Sequence, residues 1–206
     1  MARTKAVVKR VRGARKARRI NVAIAGGPCT GKSTTAAFLF AHLKELGYDV
    51  DLVPEESRKL KREFGRCRSV FDRFYLWLQQ EREELRSTAV HGFITDAPLF
   101  QYYAQARMWG RGKRDMLAVR ELFRQSLRLD DRYQLIVMAE DPNEIPYKTD
   151  RARSGKKKDA RERHRILRTF VEHQWNGKLL LVHGTVAERV EQIMRRLRAM
   201  GLSRRA

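Results

Sequence analysis

The chain has 206 residues, which suits one domain, and its 42% hydrophobic content is enough for a buried core. Its formal net charge is +21, so we expect a polyanionic partner or an anionic surface. The two cysteines, Cys29 and Cys67, do not form a disulfide framework, and no apolar run reaches the length of about 18 residues needed to cross a membrane. No signal-type apolar segment follows the basic start, so we expect a cytoplasmic protein with no membrane partner.

Residues 1–19 form a basic N-terminal arm with nine lysines and arginines and no acid. Such a segment is either a solubility tail or an arm that binds a polyanion. The bias toward one sign of charge favours the polyanion-binding interpretation. The remaining residues, 20–206, are interpreted as one domain.

Apolar runs alternate with helical patterns along this domain. The alternation predicts an α/β fold of three layers, in which a five-stranded parallel sheet has helices on both faces. Strands are predicted at 20–25, 48–53, 92–95, 134–139 and 178–182. Helices are predicted near 32–46, 56–64, 69–90, 98–108, 114–129, 158–175 and 186–200.

A glycine-rich phosphate-binding motif lies between the first strand and the first helix. It fits G-x-x-x-x-G-K-[ST] and consists of Gly26, Gly27, Pro28, Cys29, Thr30, Gly31, Lys32, Ser33 and Thr34. Backbone N–H groups and the helix N-terminus can hold phosphates there. Lys32 provides charge to the outer phosphates, and the Ser33 hydroxyl can bind Mg²⁺. The motif therefore predicts ATP and Mg²⁺ as cofactors.

Two further acidic positions follow predicted strands, where open α/β sheets bind their ligands. Glu55 follows the second strand and, with Arg58 one helical turn away, either acts on a substrate hydroxyl and the phosphoryl group or forms an acidic helix N-terminus. Glu56 is the reserve candidate for the base. Asp96 follows the third strand and is either a Mg²⁺ ligand or a helix N-cap before Pro98.

A strongly basic segment follows the fourth strand. Ten lysines and arginines and three acids lie between positions 148 and 168. The segment is either a solvated loop or a lid over about 141–163 that excludes water from the site. In the second case Arg151 and Arg153 are the best candidates to contact the γ-phosphate.

The aromatic residues of 69–90 and Trp109 are expected mainly in the core, with contact to an acceptor as the alternative. A base can stack on one of these rings, with Gln79 or Gln80 beside it. The five histidines show no metal-ligand spacing and are assigned no role.

Together, GGPCTGKST, PEESR, FITDAP and the arginine-bearing segment resemble the small P-loop kinases. The resemblance covers about residues 20–183 and is most specific at the phosphate loop. The nearest subgroup is the AAA-type ATPase-like kinases, which include the nicotinamide riboside kinase domain and several phage kinases. Within this subgroup, phages with hypermodified DNA encode a 5-hydroxymethyluracil DNA kinase, and the excess of cations in this chain favours a polymeric substrate of that kind.

The resemblance implies a set of roles. In related polynucleotide kinases the acid after the second strand is the base and the arginine three residues later contacts phosphate, which matches Glu55 and Arg58. Asp96-Ala97-Pro98 departs from the Asp-Arg-Ser of many nucleoside kinases, so no arginine is carried over there.

The sequence thus predicts an ATP-dependent kinase acting on a hydroxyl in nucleic acid, DNA being favoured, in phage DNA hypermodification. Glu55 would be the base, and Lys32, Arg58 and Arg151 would stabilise the phosphoryl group. Ser33 and Asp96 would hold the metal. A nucleoside or nucleotide kinase and a nucleic-acid-binding ATPase are the alternatives.

Overall fold

The computed structural model describes residues 19–57, 69–144 and 156–202. Its centre is a parallel sheet with the strand order β2-β3-β1-β4-β5. The strands are β1 (Val22–Ala25), β2 (Asp51–Val53), β3 (Phe93–Thr95), β4 (Leu135–Ala139) and β5 (Leu179–Val182). All five predicted strands are confirmed, although β2 is shorter than the apolar run that predicted it.

Six helices surround the sheet in the described part of the chain. They are α1 (Lys32–Glu45), α2 (Asp72–Arg86), α3 (Phe100–Trp109), α4 (Gly112–Leu127), α5 (Lys157–Trp175) and α6 (Val186–Ala199). A 3₁₀ turn (Asn176–Lys178), which the sequence did not predict, joins α5 to β5. The helix predicted at 56–64 begins at Glu56, and the rest of it lies outside the described residues. None of the helices described is both long and apolar enough to cross a membrane.

The core has two parts, one on each face of the sheet. Val22 and Ile24 of β1 pack in a cluster with apolar residues of α1 and α6. Ala23 and Ala25 point the other way, into a cluster built from α2, α3, α4 and α5. Because alternate side chains of a strand face opposite sides, a strand buried on both faces must be apolar at every position. The three-layer α/β fold predicted from the sequence is confirmed.

The register brings three chain segments to one edge of the sheet. Thr95 at the end of β3 is aligned with Val53 at the end of β2 and with Ala23 of β1. The strands are parallel, so the segments that follow them leave the sheet on the same side. This edge is where ligands bind in open α/β sheets.

Candidate nucleotide-binding site

The phosphate loop connects β1 to α1 through residues in unusual backbone conformations. Gly26 has a φ of 138° and Gly31 a φ of 82°, and Cys29 has a φ of 63°. Glycine adopts positive φ without steric penalty, which explains the two glycines of the motif. The loop therefore returns directly to the N-terminus of α1, where backbone N–H groups and the helix dipole favour an anion.

Lys32, the first residue of α1, lies folded over the loop. Its Nζ donates a hydrogen bond of 2.7 Å to the carbonyl oxygen of Gly27. The Thr30 hydroxyl donates to the same carbonyl at 3.0 Å. The ammonium group is thus held against the loop that would receive the phosphates, where a point charge acts on the outer phosphate oxygens.

Helix α5 contacts the other side of the loop through His164 and Ala160. The Gly27 N–H donates to His164 Nδ1 at 3.4 Å. A Cβ on Gly27 would lie 2.2 Å from the Ala160 carbonyl oxygen, so only glycine allows this approach. Burial, with the nearby Lys32 charge second, lowers the pKa of His164 to about 4. The imidazole is therefore neutral near pH 7 and able to accept the loop N–H.

The role of His164 corrects the sequence analysis, which assigned the histidines none. His164 lies 137 residues from Gly27 in the chain. The local sequence around it is a basic helix, and no spacing motif relates it to the loop. Only the packing of α5 on the loop shows the contact.

Arg189 of α6, which the sequence analysis also missed, contacts the phosphate loop. The side chain is 2% exposed, and its Nη1 donates to the Thr30 carbonyl at 2.8 Å. Nε donates to the Gly184 carbonyl at 3.0 Å, and Nη2 pairs with Glu144 at 2.5 Å. Glu144 also accepts the Gly184 N–H at 2.7 Å. The buried charge is therefore paired, and it connects the loop to the segment that follows β4.

Asp96 directly follows β3 and is 5% exposed. Its Oδ1 is buried and has no hydrogen-bond partner among the described residues. Helix α3 begins at Phe100 with Leu99 in the N-cap position, so the N-cap interpretation of Asp96 is wrong. A buried carboxylate oxygen without a partner requires another explanation, such as an ion or an ordered water.

The donor set at this edge fits Mg²⁺. No group of three or more histidine, cysteine, aspartate or glutamate residues lies together in the described ranges. Mg²⁺ does not require one, because it usually binds one or two carboxylates, substrate phosphates and water. Asp96 and the Ser33 hydroxyl, from the second residue of α1, would hold the ion beside the phosphates.

Glu55 lies two residues beyond β2, and the helical turn begins directly after it. Its carboxylate accepts a hydrogen bond from the Ser57 hydroxyl. Burial first, and the Glu55 charge second, raise the pKa of Tyr102 well above its usual value. The carboxylate is thus close enough to act on a buried side chain of α3. Both roles that the sequence left open for Glu55 are compatible with this position.

Gln80 joins the segments after β2 and β3. Its Oε1 accepts the Glu56 N–H at 3.1 Å and the Tyr102 hydroxyl at 3.3 Å. Its Nε2 donates to the Thr95 hydroxyl at 3.3 Å. Gln80 is fully buried, and its bonds link Glu56 and Thr95, the chain neighbours of Glu55 and Asp96.

Several predicted site residues lie outside the described residues. They are Arg58, Arg151, Arg153, residues 1–18 of the arm and residues 145–155 of the lid. On either side of the lid gap, Glu144 pairs with Arg189 of α6 and residues 157–163 belong to α5. The roles given to all these residues remain predictions.

The fold and the loop define a P-loop protein with a kinase-like α/β architecture. The family model described as an AAA domain matches residues 21–189, and the chain belongs to that family. No curated protein matches this chain.

Solved structures show the same fold at low sequence identity. NadR in complex with NAD and AMP-PNP matches with a TM-score of 0.66 and 17% identity, over 86% of this chain and 49% of that one. The chain thus spans about half of NadR. Thymidylate kinase from Candida albicans matches with a TM-score of 0.62 and 15% identity over 89% of this chain and 93% of that one. Deoxyadenosine kinase from M. mycoides, with bound dATP, has a TM-score of 0.60 and 17% identity over 87% and 100% of the chains.

Proposed function

We propose that this protein is an ATP- and Mg²⁺-dependent kinase that phosphorylates a hydroxyl group in nucleic acid. The observation that supports it best is the buried Asp96 carboxylate at the end of β3, the strand paired with β1, which leads into the phosphate loop. An acidic group at this position suits a metal bound to a triphosphate. The kinase-like fold, shared with thymidylate and deoxyadenosine kinases, supports phosphoryl transfer over hydrolysis alone.

In this proposal each residue has a physical task. The loop amides and Lys32 bind the phosphates and stabilise charge on the group in transfer. Glu55 accepts the proton of the acceptor hydroxyl, with Glu56 in reserve, and Arg58 and Arg151 contact the phosphoryl oxygens. Ser33 and Asp96 would hold Mg²⁺, which would neutralise charge on the phosphates.

The acceptor class follows from charge. A free nucleoside requires a few polar contacts, whereas a polymer presents many phosphates whose neutralisation releases counterions. A net charge of +21 suits the polymer. The resemblance to phage kinases makes the 5-hydroxymethyl group of hydroxymethyluracil in DNA the specific candidate. A base inside a duplex must leave the stack to reach the site.

A nucleoside or nucleotide kinase is the second candidate, and the fold favours it. The chain aligns with the full length of a deoxyadenosine kinase. In that case the positive charge would serve solubility or association with RNA.

One assay separates these possibilities. The protein is given γ-labelled ATP with hydroxymethyluracil DNA, the same DNA with thymine, or free nucleosides. We expect label in hydroxymethyluracil DNA alone. Label in nucleosides alone would defeat the polymer proposal, and phosphate release without a labelled product would indicate an ATPase.

A Glu55→Gln variant tests the base in the same assay. Glutamine preserves the shape and still accepts the Ser57 hydrogen bond, but it cannot take a proton. We expect transfer to fall by about 10²-fold or more. The matched control is Glu45→Gln, at the exposed C-terminal end of α1, which should transfer at the wild-type rate.

A further inference from the structure

Aromatic rings and arginines interleave in one region, which we call the aromatic–arginine rim. It consists of the exposed Phe71, Trp109 and Arg114, the half-buried Arg163, and Arg73, which is only 5% exposed. The guanidinium carbons of Arg73 and Arg163 lie 4.6 and 5.5 Å from the centroid of the Trp109 ring. That of Arg114 lies 5.1 Å from the Phe71 centroid. Although they contact arginines, Trp109 is 43% exposed and Phe71 is 41% exposed.

The rim has cations on both sides. The corner between α3 and α4, residues 107–114, has four basic residues and no acid, and all four are exposed. Residues 156–165, which include the start of α5, have six basic residues and two acids. One of the acids, Glu162, pairs with Arg165 at 2.6 Å. The surface is therefore strongly positive around two accessible rings.

The rim and the phosphate loop share helix α5. Arg163, which contacts Trp109, is next in the chain to His164, whose imidazole accepts the Gly27 N–H. A molecule lying on the rim therefore contacts the same helix that contacts the phosphate loop.

We propose that the rim binds an unpaired segment of a nucleic-acid strand. Phosphates lie against the exposed arginines and lysines, and a base stacks on Trp109 or Phe71. Proteins that bind single strands combine a positive surface with aromatic stacking in this way. An acidic peptide would use the cations but would not require two accessible rings between them. The inference rests on the proposed nucleic-acid acceptor and specifies how the strand is held.

The direct test is binding without ATP, measured by fluorescence anisotropy of a labelled 12-nucleotide single strand. Trp109→Ala should weaken binding about tenfold, the scale of one lost base stack. Trp109→Phe retains a ring and should recover most of that loss. Wild-type affinity in Trp109→Ala would overturn the stacking role.

A matched pair of double variants tests the charges. Arg107→Ala with Arg114→Ala removes two cations at the rim, and Arg195→Ala with Arg198→Ala removes two exposed cations of α6, on the other face of the sheet. The rim variant should reduce the slope of log affinity against log salt by about 1.4, or 0.7 for each lost phosphate contact. The α6 variant should retain the wild-type slope. Equal reductions in the two variants would overturn the proposal.

Failure of this inference is distinguishable from failure of the kinase proposal. Circular dichroism checks that each variant is folded. If Trp109→Ala does not fold, the two double variants still test whether the rim binds the strand. Transfer to DNA with unchanged binding in every rim variant would exclude the rim and leave the kinase. Rim-dependent binding without transfer to any acceptor would support the rim and exclude the kinase. A duplex bound more tightly than the single strand would contradict the unpaired-strand proposal.

Discussion

The phosphate loop is supported by one side chain from each helical layer. His164 of α5 accepts the Gly27 N–H, and Arg189 of α6 donates to the Thr30 carbonyl. Each group fixes the orientation of one peptide unit in the loop. An arrangement of amides held in this way does not have to reorganise when phosphates bind, which favours both affinity and catalysis.

Replacement of Lys32 by alanine should abolish phosphoryl transfer and leave the fold intact. The hydrogen bond from its Nζ to the Gly27 carbonyl is partly exposed, so the loss of this bond has little effect on stability. Transfer is followed with γ-labelled ATP, and folding by thermal melting. Lys44→Ala, on the same helix, is the control. Retained transfer in the Lys32 variant would remove the central role given to this lysine.

His164 should make the protein sensitive to acid. Its pKa falls from 6.5 to about 4 on folding, so the unfolded chain takes up a proton first as the pH falls. Stability is complete above pH 6.5 and decreases toward pH 4, by up to about 3 kcal/mol. His164→Asn retains an acceptor for the Gly27 N–H but does not titrate. The free energy of unfolding of this variant, measured with urea, should therefore decrease less over this pH range than that of the wild type.

The control for the acid measurement is His173→Asn, an exposed histidine of the same helix. This variant should follow the wild-type pH profile. If His164→Asn also follows the wild-type profile, the imidazole is not held neutral by the fold.

At the scale of elements, the segment after β4 is joined to the start of α6. Glu144 accepts hydrogen bonds from Gly184 and from the buried Arg189, which in turn contacts the loop. The described residues before the lid gap are therefore connected to the phosphate loop through Arg189. A displacement of these residues would change the support of the Thr30 carbonyl.

Removing Glu144 should destabilise the protein markedly. Glu144→Ala leaves the Arg189 charge buried without its partner, which costs about 3 kcal/mol. The control is Glu83→Ala, which breaks an exposed pair with Arg86. The two glutamate side chains are similarly exposed, 29% for Glu83 and 28% for Glu144. The control should change the unfolding free energy by less than about 1 kcal/mol. Equal effects in urea denaturation would show that the Arg189 charge is not effectively buried.

At the scale of the whole molecule, the excess of positive charge should appear as salt dependence. Each phosphate neutralised on binding releases counterions, so the KM for DNA should rise about tenfold or more between 50 and 200 mM salt. The KM for a small acceptor, such as a free nucleoside, should change much less. Steady-state kinetics at several salt concentrations measure both. A KM for DNA that does not vary with salt would contradict a polymeric acceptor held by its phosphates.

The sequence predicted the sheet because its signals are local. The apolar runs of β1 and β4 are buried on both faces, so they are continuous and easily recognised. The short β2 was predicted too long, because Tyr48 and Val50 are buried in the core without belonging to the paired strand. The phosphate loop was also predicted from local signals, because the glycines that adopt positive φ in the structure lie within a single motif.

What the sequence determined by itself was therefore the fold class, the phosphate loop and the acids that follow β2 and β3. Only the tertiary structure decided that Asp96 is not an N-cap and that His164 and Arg189 support the loop. It alone brought Trp109 to Arg73 and Arg163. The reason is physical: a motif records contacts between neighbours in the chain, whereas these contacts join residues of different elements that meet only when both faces of the sheet are packed.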